Sequence, residues 1–202
     1  KQGQFMQIIV KLLKQHWILS LILLFFLGTR LYNITLNPPS VYWDEASIGY
    51  SAYSVTTDFK DEWGNLLPLH FRSFGEFKLP VYIYSVAIFE KMMGMNPLSV
   101  RLPAVLFTLG IILLIYLLVL KITNSKMTAN FAAFFVSITP WLFIFSRTGY
   151  EVTAGLMFYL LGIHLFVFFF ETKDKIKLNL IFVGFILSLL LSFYSYKRFL
   201  IS

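Results

Sequence analysis

The chain has 202 residues, of which 58% are hydrophobic and only 13% charged, whereas an average globular domain carries roughly 25% charged residues. That is too little polar surface for water, so the length does not stand for one or two soluble domains; the bilayer is most of this protein's solvent. The net charge of +7 would suggest nucleic acid in a soluble protein, but here the basic residues flank apolar runs and read as positive-inside signals. The lack of cysteine removes disulfides, Cys-zinc sites and thiol catalysis.

A spanning helix needs about 20 largely apolar residues. The first candidate runs over about 16–32. Only Gly28-Thr29-Arg30-Leu31-Tyr32 follows its apolar stretch, with no small-residue cleavage site, so no cleavable signal peptide is expected. A long polar segment, Asn33–Pro97, comes next. It contains the apolar stretch Leu79–Phe89, too short to span and read as a helix at the interface. Four more spans follow at about 98–120, 127–145, 149–170 and 176–194. With five spans, Lys1, Lys11, Lys14, Lys121, Lys126, Lys173, Lys175 and Lys177 share one side with only Glu171 and Asp174. The excess of lysine marks that side as cytoplasmic and puts the 33–97 segment outside. The expected fold is therefore an all-α membrane protein: about five transmembrane helices, N-terminus cytoplasmic, and a long first outer loop carrying short interfacial helices. The chain opens on Lys and stops at Ile201-Ser202 just after a span, so 1–202 is expected to be a single module cut at its C-terminal end.

The outer loop holds the chemistry. After Pro38-Pro39, either Ser40 or Asp44 could cap a helix that carries Ile48, Ala52 and Val55 on one side. Asp44 and Glu45 would then sit at its positive end, where carboxylates stay ionised. Such a pair can act as a general base or hold a cation; a plain helix cap with a solvated neighbour is the commoner arrangement. Trp63-Gly64-Asn65 reads as a turn between short extended pieces. His70 could join carboxylates around a metal, although no ligand spacing marks it and a polar side chain on the surface is the commoner arrangement. Pro80 suits a first helical turn, with Lys78 before it at headgroup level. Arg101 opens the second span, and Arg147 and Glu151 occupy the turn between the third and fourth. Each cation alone could snorkel to lipid phosphates. Together, Asp44, Glu45, Lys78, Arg101, Arg147, Glu151, Lys197 and Arg198 map to one face, where cations suit an anionic headgroup and acids can activate a nucleophile. Tyr42, Trp43, Tyr50, Tyr53, Tyr82, Tyr84, Trp141 and Tyr150 read as an aromatic belt, with sugar stacking as the lesser alternative. His164, within the fourth span, reads as a packing residue.

Taken in order, the motifs resemble those of a GT-C membrane glycosyltransferase, closest to family 39, the protein-mannosyltransferase-like and aminoarabinose-transferase-like group. The likeness rests on Asp44-Glu45-Ala46, Gly49-Tyr50, Ala52-Tyr53, Gly64-Asn65 and Leu67-Pro68. It continues through Gly75-Glu76-Phe77-Lys78-Leu79-Pro80, Val100-Arg101-Leu102-Pro103-Ala104 and Thr139-Pro140-Trp141. Phe145-Ser146-Arg147, Glu151 and Tyr194-Ser195-Tyr196 with Arg198 complete it. The resemblance implies an inverting transfer of sugar from a polyprenyl-phosphate carrier to a protein, lipid or glycan hydroxyl. It places the enzyme in a bacterial cytoplasmic membrane with its site on the outer face, and involves no nucleic acid. It makes Asp44 the catalytic base and Glu45 its partner. Lys78 matches the family's lysine, although Leu79 stands where many relatives have proline. Arg101 and Arg147 match positions that hold the carrier phosphate or order the loop. Some relatives bind a divalent cation (Mg or Mn), for which Glu76, Glu151 and His70 are the candidates, in either a metal-binding or a loop-ordering role. The alternative is a non-catalytic or truncated relative that binds lipid-linked sugar or scaffolds a membrane complex. A transporter is disfavoured, because only His164 is ionisable in mid-span.

Overall fold

The computed structural model describes residues 15–73 and 76–195, with the side chain of Glu76 outside the description. Lys1, Lys11, Lys14, Gly75, Tyr196, Lys197 and Arg198 therefore lie outside the described residues. Among these described residues, eight helices and one small hairpin follow in order: α1 (Trp17–Leu31), α2 (Trp43–Asp58), β1 (Phe71–Ser73), β2 (Glu76–Lys78), α3 (Pro80–Met93) and α4 (Pro97–Thr123). They continue with α5 (Lys126–Ile138), α6 (Pro140–Arg147), α7 (Val152–Glu171) and α8 (Lys175–Phe193). The fold is all-α apart from the hairpin, and its apolar helices belong to an integral membrane protein.

Helix α4 is the axis of the molecule. Asn96 caps it by accepting from Ser99 N, Pro97 occupies its first turn, and Asn124 ends it at φ 50°. Its 27 residues extend about 40 Å. One apolar cluster joins Leu19, Ile22 and Phe26 of α1 to Val105, Ile112 and Tyr116 of α4 and Ala129 and Ala133 of α5. A second joins Ile48, Ala52 and Val55 of α2, Phe71 of β1 and Tyr82, Ile83 and Val86 of α3 to Val100 and Ala104 of α4. The expected apolar face of α2 is thus buried. Its N-cap, however, is Tyr42, not Ser40 or Asp44. Glu45, three residues on, reaches back to accept from Tyr42 N at 3.0 Å, the carboxylate half of a capping box.

Among the described residues, three helices are long and apolar enough to cross a membrane: α4, α7 and α8. The expected single span over 127–145 is instead two helices, α5 and α6, bent by 59°. Pro140 is the cause: it has no N–H for the ladder, and it holds Thr139 at ψ 125°, out of helical conformation. If the bent pair is one span the total is four. Helix α1 is apolar, but its 15 described residues reach only about 22 Å. Helix α3 has 14 residues, too few to span. It does more than lie on a surface, since Tyr82, Ile83, Val86 and Ala87 bury it against α2 and α4.

Glu90, on the packed side of α3, is 5% exposed, and neither carboxyl oxygen has a hydrogen-bond partner. Burial pushes its carboxyl from 4.5 up to about 7. Below pH 4.5 both folded and unfolded chains hold the proton, and the group costs nothing. As pH rises toward 7 the unfolded chain gives up a proton that the folded chain keeps, so stability falls, and it levels off above 7. Glu90→Gln abolishes this titration while keeping the shape. Its unfolding free energy should match the parent's near pH 4 and exceed it at pH 8, by up to about 3 kcal/mol. A variant less stable than the parent at pH 8 would contradict the assignment.

Candidate active site

The site forms where the start of α2, the β1–β2 hairpin, the start of α4 and the α6–α7 turn converge. At its base, Glu45 and Arg101 are each 1% exposed and form a bidentate pair, Nε to Oε1 at 2.8 Å and Nη2 to Oε2 at 3.0 Å. Glu45 Oε1 also accepts from Gly149 N at 2.8 Å. With Tyr42 N on Oε2, all four lone-pair positions of Glu45 are filled. The rest of the Arg101 fork serves the loop: Nη1 donates to Ile34 O and Pro38 O, and Nη2 to Ser40 O. All five N–H groups of this guanidinium are therefore engaged within the protein. Gly149 is obligatory, since a Cβ there would lie 2.5 Å from Val100 Cγ1 and 3.1 Å from Val100 O.

Arg147, 7% exposed, takes the carbonyls that end α1. Nη1 donates to Thr29 O at 2.7 Å and Arg30 O at 3.0 Å; Nη2 donates to Tyr32 O and Asn37 O, each at 2.9 Å. Those of Thr29, Arg30 and Tyr32 are orphan carbonyls at the C-terminal end of α1, which a cation satisfies well, and that of Asn37 belongs to the following loop. Arg30 was not singled out from the sequence. It lies between the rings of Phe26 and Phe143, with Nε on Ser146 Oγ and Nη2 on Ser137 O, a carbonyl next to the Pro140 break. The sequence signal was an arginine inside an apolar run, where a charge needs internal partners.

Asp44 points the other way from Glu45. Lys78 Nζ donates to its Oδ1 at 2.7 Å and Tyr150 OH to its Oδ2 at 3.1 Å. The Asp44 side chain is 14% exposed, so it is open at one edge, while that of Lys78 is 3% exposed. Lys78 is thus buried among protein groups. The hairpin accounts for this: with Phe71 opposite Lys78 and Arg72 opposite Phe77, alternation turns Phe71, Ser73 and Lys78 inward. Ser47 on α2 hydrogen-bonds Ser73 and holds that register.

The other sequence candidates are dispersed. His70 stands edge-on to Phe77 in a recess of about 230 Å³ that Asp61 and Arg72 also line. There burial opposes ionisation of Asp61, but donors from Trp63 N and from Asn65 outweigh it and hold the carboxyl below its usual range. Glu151 is buried at the start of α7. Among the described residues no three His, Asp or Glu side chains gather as a metal site, so His70 and Glu151 do not meet in one. Besides Arg30, the residues missed from the sequence were Tyr150, read as belt, and Gly149.

Fold and site together define an integral membrane protein with a buried acid–cation cluster at one end of its helices. The model of the family described as dolichyl-phosphate-mannose-protein mannosyltransferase matches residues 20–199, and the chain belongs to that family of glycosyltransferases. No curated protein and no solved structure matches it.

Breaking a buried, hydrogen-bonded ion pair leaves an uncompensated charge and costs about 3–5 kcal/mol. Arg101→Ala should therefore lower the unfolding free energy by about that amount, measured by thermal or denaturant unfolding in detergent. A loss under about 1 kcal/mol would show that the pair behaves as a surface contact.

Proposed function

We propose that the protein transfers a sugar from a polyprenyl-phosphate carrier to an acceptor hydroxyl on the outer face of the membrane, inverting the anomeric carbon. The family's description names a mannose donor and a protein acceptor. The observation that carries the proposal is the division between the two adjacent acids. Glu45 is saturated and sealed, whereas Asp44 keeps an open edge beside a lysine.

In this reading Asp44 takes the acceptor proton as the acceptor oxygen bonds to the anomeric carbon. The bond from that carbon to the phosphate oxygen breaks on the opposite side, and polyprenyl phosphate leaves with the electron pair. Lys78 neutralises the departing phosphate. An ammonium is a compact, rotatable donor, so it can serve a carboxylate and a phosphate in turn. Arg101 and Arg147 are assigned to ordering the loop, because their donors already go to Glu45 and to backbone carbonyls.

Asp44→Asn keeps the shape and loses the base. Single-turnover transfer by the intact protein should slow by about 10²- to 10⁴-fold with donor binding little changed. Near-normal turnover would reject the base. Lys78→Ala should weaken donor binding by roughly 10- to 150-fold, read by donor titration, and an unchanged titration would remove Lys78 from the phosphate. The five-span, N-in topology is part of the same proposal. Asn65→Cys should react with an impermeant thiol reagent in intact cells and Ser125→Cys should not. The reverse pattern would put the site on the wrong face.

A further inference from the structure

The α6–α7 turn, residues 148–151, meets both acids at once. Its Gly149 N–H goes to Glu45 Oε1 at 2.8 Å, and the next residue sends a phenol to Asp44 Oδ2 at 3.1 Å. Gly149 lies so close to Val100 that a Cβ would not fit, and its N–H ties the backbone before Tyr150 to Glu45. The ring of Tyr150 is held edge-to-face by Phe145, with centroids 5.5 Å apart. Its face lies 5.9 Å from Lys78 Nζ, at the outer limit of cation–π contact. The residue is half-buried, like Asp44.

Lys78 alone is a poor guide for the Asp44 carboxylate. If it also answers to the carrier phosphate, its grip on Oδ1 weakens when the donor arrives, just when the carboxylate must stay aimed. A second donor on Oδ2, carried by a rigid ring on a clamped turn, keeps the orientation fixed. We infer that Tyr150 is a positioning residue for the reaction, its phenol holding Asp44 in the productive rotamer while Lys78 turns to the phosphate. The inference rests on the reading of Asp44 as the base. It gives Tyr150 no proton to transfer and no contact with the sugar.

Tyr150→Phe removes the hydroxyl and keeps the ring, so the contact with Phe145 survives. In the intact protein, single-turnover transfer should fall roughly 10- to 100-fold, the worth of a hydrogen bond to a charged group. Donor binding should stay at the parent value, and the unfolding transition should remain cooperative. Because Tyr150 acts through Asp44, adding Tyr150→Phe to Asp44→Asn should cost nothing further, a non-additivity that a double-mutant cycle reads directly. Parent-like turnover from Tyr150→Phe beside a dead Asp44→Asn would overturn this inference and leave the base standing. A further loss in the double variant, or weakened donor binding in Tyr150→Phe, would overturn it by making the role structural. An active Asp44→Asn would remove the base and this inference with it.

Discussion

The buried Glu45–Arg101 pair is the constraint on which the rest of this end of the molecule depends. Taking both charges out of water is expensive, and their mutual attraction repays it only if every remaining donor and acceptor is used. Here they are used. Two further N–H groups reach Glu45 from Tyr42 and Gly149, and three N–H groups of Arg101 reach carbonyls of the 34–40 loop. The pair therefore fixes four separated stretches of chain against one another: the start of α2, the start of α4, the 34–40 loop and the α6–α7 turn. Asp44 inherits its place from this arrangement, being the neighbour of Glu45 on the same helical turn.

The cations divide by chemistry. Among the described residues three arginines are buried, Arg30, Arg101 and Arg147, and they spend their planar forks on carbonyls, hydroxyls and one carboxylate inside the protein. Arginine suits that task, since its charge is permanent and its fork is preorganised. The one buried lysine at the site lies on the acid with the open edge. At the other end of α4, Lys121 pairs with Glu171 at the end of α7, in solvent, where such pairs contribute little. Two ends of one helix, about 30 Å apart between Arg101 and Lys121, thus carry two kinds of electrostatics. One is buried and specific, the other exposed.

Much of this was legible in the sequence. Apolar length marked α4, α7 and α8, the spacing of Ile48, Ala52 and Val55 gave the packed face of α2, and the shortness of Leu79–Phe89 matches a helix of only 14 residues. The break at Thr139–Pro140 was written in the sequence too, but continuous hydropathy hid it, because lipid accepts an apolar run whether or not it bends. The acid pair was visible as a pair, though nothing local told which acid would be sealed. That depended on Arg101, 56 positions away, and on Gly149, 104 positions away. Tyr150 read only as part of an aromatic belt for the same reason. An interfacial tyrosine satisfies the membrane rule by itself, and only the fold brings its hydroxyl to Asp44. Burial of Lys78 followed from hairpin register, which a three-residue strand scarcely announces.

The central claim is that Lys78, not the saturated arginines, meets the carrier phosphate while Glu45–Arg101 stays closed. An experimental structure of the intact protein with a bound polyprenyl phosphate tests it most directly. The account predicts a phosphate oxygen within hydrogen-bond distance of Lys78 Nζ, with the Glu45–Arg101 fork unbroken and Asp44 still on Tyr150. A phosphate seated on Arg101 or Arg147, with their loop carbonyls released, would contradict it.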